Sequence, residues 1–134
     1  TNIWIYLVEG NPAFVDQAKA VLTAVELVGA RLVTNEIAIA ECLVKPAREA
    51  DMATIADYER LFESGEVELT PLDGGLARRS AMLGAQLGLK LIDAIHYNAA
   101  LEADCQYLVT SDRRFRSGQG LQVKLIGEAD AQND

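Results

Sequence analysis

Cysteine, histidine and aromatic residues are scarce in this 134-residue chain, and positive charge is outnumbered. There are two cysteines and one histidine. Cys42 and Cys105 lie far apart, with no CxxC spacing and no neighbouring histidine, which excludes a disulfide framework and a zinc site and fits two reduced, buried thiols. A single His96 offers no partner for a Ser/His/Asp or Cys/His constellation, so its simplest role is packing or surface. Lys and Arg number 12 against 20 Asp and Glu, a net charge of −8. A chain so acidic is ill suited to loose, purely electrostatic binding of nucleic acid, which needs an excess of basic residues. It is not barred from nucleic-acid chemistry, because bound divalent ions can supply the missing positive charge. The longest apolar stretch, Ala20 to Ala30, is interrupted by Glu26 and is too short to span a membrane. No GxGxxG or P-loop occurs, and Gly74-Gly75 lacks the Lys and Ser/Thr that a phosphate cradle requires.

The length suits one domain with a real core and leaves no room for a second. Helical and strand patterns alternate along it. Thr1 is placed to cap a short apolar helix running to about Val8, and Glu9-Gly10-Asn11-Pro12 ends that helix and starts the next, with Pro12 in the first turn. Phe14, Ala18, Val21, Val25 and Val28 form one buried stripe, and Gly29 closes it. Leu32-Val33-Thr34 reads as a strand leading into a helix with Ile37, Ala40, Glu41 and Val44. After Pro46 the helix resumes from Ala47 to Phe62. Val67 to Thr70 is a second strand, followed by a helix from about Leu76 to Leu87 that ends at Gly88. A further helix opens at Asp93 and runs to about Ala103. Tyr107 to Thr110 is a third strand, and Leu121 to Ile126 alternates as a marginal fourth. Glu128 to Asp134 read as a frayed polar end. Strands separated by helices predict an α/β fold with a parallel sheet sandwiched between helices. The usual opening strand is missing. The chain starts at Thr1 without a Met, which points to residues upstream and leaves a targeting segment there open.

Three carboxylates stand out against this pattern. Asp112 follows Tyr107-Leu108-Val109-Thr110, just past the carboxyl end of a strand, where open α/β sheets gather their ligands. Asp93 lies in the first turn of a helix. Glu41 sits in an otherwise apolar helical segment, where burial is costly without a cation or partner. Each has an ordinary explanation: a turn residue, a helix cap and an exposed helical stripe, respectively. Together they make an oxygen cage suited to Mg²⁺ or Mn²⁺. Thr110 either ends its strand or orients a ligand from behind. Arg113, Arg114 and Arg116 beside Asp112 are either solvated charges or a patch that holds the phosphates flanking a metal-bound one.

These segments together resemble the PIN-domain ribonucleases, most closely the compact single-domain toxins of the VapC type, over nearly the whole chain. Thr1-Asn2 and the helix after them are similar to the end of the family's first motif, which makes Asn2 a supporting residue. Glu41, Asp93 in Asp-Ala-Ile-His-Tyr-Asn-Ala-Ala, and Asp112 in Thr110-Ser111-Asp112 match the second, third and fourth. The resemblance places the family's first catalytic Asp, with its strand, immediately before Thr1, so that residues 1–134 form a single PIN domain lacking its N-terminal strand. Arg114 stands where the family often has a further acid. What the resemblance implies is a cytoplasmic, Mg²⁺- or Mn²⁺-dependent endoribonuclease, catalytic through Glu41, Asp93 and Asp112, homodimeric and inhibited by a cognate antitoxin. The competing expectation is a PIN-like binding or scaffold module without turnover. The helical arm from Ala47 to Phe62, with Met52, Ile55, Tyr58, Leu61 and Phe62, has more apolar surface than its own sheet is expected to cover and suggests an antitoxin groove.

Overall fold

The computed structural model describes residues 1–112, 114–115 and 117–126. Arg113 and Arg116, both named above as candidate RNA ligands, lie outside the described residues, as does the segment from Glu128 to Asp134. The order of elements is α1 (Asn2–Glu9), α2 (Val15–Leu27), β1 (Leu32–Asn35), α3 (Ile37–Arg48), α4 (Met52–Glu63), β2 (Val67–Thr70), α5 (Gly74–Leu87), α6 (Leu91–Glu102), β3 (Tyr107–Thr110) and β4 (Gln122–Leu125). Among the described residues no helix is long and apolar enough to cross a membrane.

The expected α/β architecture is present, with all strand pairs parallel. Its sheet, however, is in two pieces. Leu32 pairs with Val67 and Asn35 with Thr70 in one pair, Tyr107 with Gln122 and Thr110 with Leu125 in the other. Among the described strands, β1 pairs only with β2 and β3 only with β4. Helix α6 packs against both β1 and β3 and so links the halves. The core falls into several clusters. Trp4, Cys42, Tyr58, Phe62 and Val67 form one cluster, while Tyr97, Ala100, Phe115 and Leu121 form another around the second pair. Leu121 and Ile126 are buried at the two ends of β4, which anchors a short strand that its own four residues would hold weakly.

Local chemistry shifts several helix boundaries from the expected ones. Asn11 begins a turn in which its side-chain oxygen accepts from Ala13 N at 2.9 Å, so α2 starts at Val15 and Pro12 lies before it. Ala18 is fully buried at the centre of the α2 stripe, but Val28 is 77 % exposed and does not belong to it. Pro46 does not divide the third helix: it sits inside α3, near its C-terminal end. The break falls at Ala50, whose φ of 52° is left-handed, with Asp51 N donating to Pro46 O at 2.9 Å to close the helix end. Asp51 then caps α4, its carboxylate accepting from Thr54 N at 3.1 Å. Burial raises the pKa of the Cys42 thiol to about 12, as expected of an inert packing cysteine.

Gly84 sets how closely α5 and α6 approach. A Cβ there would stand 3.0 Å from Ala94 Cβ and 3.2 Å from Leu89 O, both of which are fixed. Ala94 directly follows Asp93, so this contact also fixes the height of the acid. At an open helical site Gly→Ala stabilises by about 0.5–1 kcal/mol. Gly84→Ala is expected to do the reverse, lowering stability by about 1–3 kcal/mol through overpacking. Gly74→Ala, which would meet only the flexible Arg78 side chain, serves as the control. Urea midpoints of the two variants check this, and an unchanged or raised midpoint for Gly84→Ala would refute the close-approach reading.

Candidate active site

The three acids stand on three elements: Glu41 on α3, Asp93 on α6 and Asp112 just past β3. Asn35, buried at the end of β1, starts the first. Its Nδ2 donates to Thr70 O at 3.2 Å and Pro71 O at 3.2 Å, and its Oδ1 accepts from Ile37 N at 3.0 Å. One side chain thus ties the ends of β1 and β2 and begins α3, the helix that carries Glu41. A polar residue ending an apolar strand was the available sequence signal for this role.

Glu41 is engaged on arrival. Its Oε1 accepts from the Thr1 hydroxyl at 2.6 Å and lies 2.6 Å from His96 Nε2, and Thr1 Oγ1 and His96 Nε2 are 3.2 Å apart. Burial acts to raise the Glu41 pKa, but these hydrogen bonds and the His96 charge bring it below its ordinary value. Two expectations change here. Thr1 does occupy the N-cap position of α1, yet its side chain makes no cap bond and is spent on Glu41. His96, read from sequence as packing or surface, is instead the group that holds Glu41 in place. The signal for it was its place three residues after Asp93, on the same face of one helix.

Asp93 is in the first turn of α6, with Lys90 at the N-cap, so the acid is not the cap itself. Asp112 follows β3. Its N–H donates to Thr110 Oγ1 at 3.0 Å, which gives Thr110 a positioning part. Ser111 accepts from Asn2 Nδ2 at 2.8 Å and from the Tyr6 hydroxyl at 3.1 Å. Asn2 therefore supports the turn before Asp112 without touching an acid; Ser111 and Tyr6 join it, though neither is among the candidate site residues.

Arg114 joins the last two acids. Its N–H and Nε donate to Asp112 Oδ1 at 2.9 and 3.0 Å, and Nη2 lies 2.5 Å from Asp112 Oδ2 and 3.2 Å from Asp93 Oδ2. This guanidinium holds the Asp112 carboxyl below its ordinary pKa. Beside it opens a cleft of about 540 Å³ lined by Leu87, Leu89, Lys90, Asp93, Tyr97 and Arg114, among others. Leu87, Leu89 and Tyr97, with two cations and a carboxylate, give the cleft both apolar and charged lining.

The donors can be tested against a divalent ion. Asp93 and Asp112 fit a hard cation in chemistry, since their oxygens already share one positive group. Glu41 is committed elsewhere, and among the described residues no three His, Cys, Asp or Glu side chains form a group able to hold a metal ion. The structure thus brings Asp93 and Asp112 together on Arg114 and connects Glu41 to the helix of Asp93 through His96.

The model of the PIN domain family matches residues 1–120 of the chain. No curated protein and no solved structure matches it.

Proposed function

The chain belongs to the PIN-domain family, a family of nucleases, and from that premise we propose that it is a Mg²⁺- or Mn²⁺-dependent endoribonuclease, the toxin of a type II toxin–antitoxin pair of the VapC type. One observation carries the reading: carboxylates from the first turn of α6 and the end of β3 converge on a single cationic group. Asp93 and Asp112 would hold the ion, with Glu41 as the third acid once His96 and Thr1 release it. A bound ion would activate water and neutralise charge on the phosphodiester. The chain's own residues supply the rest. Thr110 fixes the Asp112 backbone, Asn2 and Tyr6 hold the turn through Ser111, and Lys90 and Arg114 offer charge to flanking phosphates.

The split sheet supports a further part of the proposal. A parallel strand preceding Thr1 and pairing with both β1 and β3 would join the halves and bring the family's first Asp beside Asp93 and Asp112. The expected partners are RNA, a cognate antitoxin and a second copy of the chain, in the cytoplasm. The apolar face of α4 gives the antitoxin less than its sequence promised: Tyr58 and Phe62 are in the core, and Met52 is the large apolar residue left exposed.

A second reading, a PIN-like module that binds without cutting, is favoured by the engagement of all three acids with His96, Thr1 and Arg114. Incubating the full-length protein with single-stranded RNA in Mn²⁺ and in EDTA decides between them. Cleavage in Mn²⁺ that EDTA abolishes, and that the co-expressed product of the adjacent gene suppresses, is the expected result. RNA bound but left intact in Mn²⁺ favours the module, and cleavage unaffected by the neighbour removes the toxin assignment alone.

A further inference from the structure

Arg114 occupies the position from which a bound ion would contact both acids. Its Nη2 lies 2.5 Å from Oδ2 of Asp112 and 3.2 Å from Oδ2 of Asp93. A divalent ion binds carboxylate oxygen at about 2.0–2.6 Å. An ion that bridges these two oxygens from the side Nη2 occupies would overlap the guanidinium. We propose that Arg114 is a tethered counter-cation of the Asp93/Asp112 pair, which the divalent ion displaces and which then serves as a phosphate ligand at the mouth of the adjoining cleft. This inference rests on the nuclease reading of the site and adds to it a residue with two successive partners.

The tether is built from the described residues around Arg114. Phe115, the next residue, is buried and stacked on Tyr97 with the ring planes 2° apart, and the Tyr97 hydroxyl donates to Gly118 O at 3.2 Å. The Arg114 backbone is held as well, by its own N–H to Asp112 Oδ1. The side chain is the exposed part: 54 % of it is open to solvent, and it already lines the cleft together with Lys90. When the ion takes the carboxylates, the guanidinium loses its partners but its Cα stays beside the site. It is then within reach of any phosphate the ion binds, and a planar guanidinium suits phosphate oxygens. In this way the acids are never left as a bare pair of like charges.

Competition of this kind weakens the apparent metal affinity by the fraction of time the pair is open. If that fraction is about one tenth, Arg114→Ala should bind the ion about tenfold more tightly. The measurement is calorimetric titration of EDTA-treated full-length protein with Mn²⁺, without RNA. Lys90→Ala is the charge control, because it removes a nearby positive charge that touches neither acid, and its effect should be clearly smaller. A second measurement reads the side chain directly: in ¹⁵N spectra the Arg114 Nε–H should be protected from exchange in EDTA and lose that protection in Mg²⁺. Equal Mn²⁺ affinity in wild type and Arg114→Ala, or equal gains in Arg114→Ala and Lys90→Ala, overturns the displacement. If neither the wild type nor Arg114→Ala binds Mn²⁺, the metal reading of the site fails together with it. Binding by the wild type that Asp93→Asn removes, with no gain in Arg114→Ala, leaves the site reading standing and defeats this inference alone.

Discussion

Asp93→Asn and Asp112→Asn are each expected to reduce RNA cleavage in Mn²⁺ by more than about a hundredfold while leaving the fold intact. Partners that only support a metal ligand cost about 10–100-fold when lost, and a ligand itself should cost more. The amide is nearly isosteric with the carboxylate, so packing around α6 and β3 changes little. The two variants do not start from the same place. Asp112 accepts the Arg114 backbone N–H and much of its guanidinium, whereas Asp93 receives one 3.2 Å contact. Asp112→Asn should therefore also loosen the loop that follows β3, visible as a slightly lower melting temperature, and Asp93→Asn should not. Initial cleavage rates on a fixed single-stranded RNA, with circular dichroism to verify folding, provide the check. Near-wild-type rates for both variants would remove these acids from the chemistry.

Much of the fold was legible because it depends on local pattern. The helices and strands follow from apolar spacing, and Gly10, Gly29, Gly65 and Gly88 stand at positive φ where the pattern stops. The places where sequence misled are those decided by one polar side chain. Pro46 looked like a break, but Asp51 and the left-handed Ala50 set it four residues later. Thr1 looked like a cap and instead serves Glu41 across 40 positions. His96 has no sequence neighbour to act with, and its partner lies 55 residues away on another helix. Arg114 stands in the sequence as a departure at an acidic position. That it would turn back onto Asp112, two residues before it, and onto Asp93 as well depends on the geometry of the loop, which spacing does not encode.

Tyr58→Ala is expected to cost about 3–5 kcal/mol, the range for deleting a large aromatic from a core. This follows from where α4 puts its apolar residues. Tyr58 is fully buried in the cluster with Trp4, Cys42, Phe62 and Val67, stacked near Phe62 at 6.5 Å between ring centres. Burial, with the Glu9 carboxylate, pushes its phenol pKa far above the ordinary value, and the hydroxyl donates to Glu9 Oε2. Removal of the ring leaves a cavity between α1, α3 and α4 and takes the hydroxyl from Glu9, which is then left with Lys45 at 3.6 Å. Against a total stability of about 5–15 kcal/mol, such a loss leaves little margin at physiological temperature. Tyr58→Phe keeps the ring and loses one hydrogen bond to a carboxylate, at a cost of about 1.5–3 kcal/mol. Met52, on the same helix but 69 % exposed, should tolerate Ala within about 0.5 kcal/mol. Urea unfolding of the three variants separates the two uses of the helix. A cost for Tyr58→Ala no greater than that for Met52→Ala would mean that the face is not part of the core and would return it as a candidate partner surface; the expected order confines any partner on α4 to the end that Met52 marks.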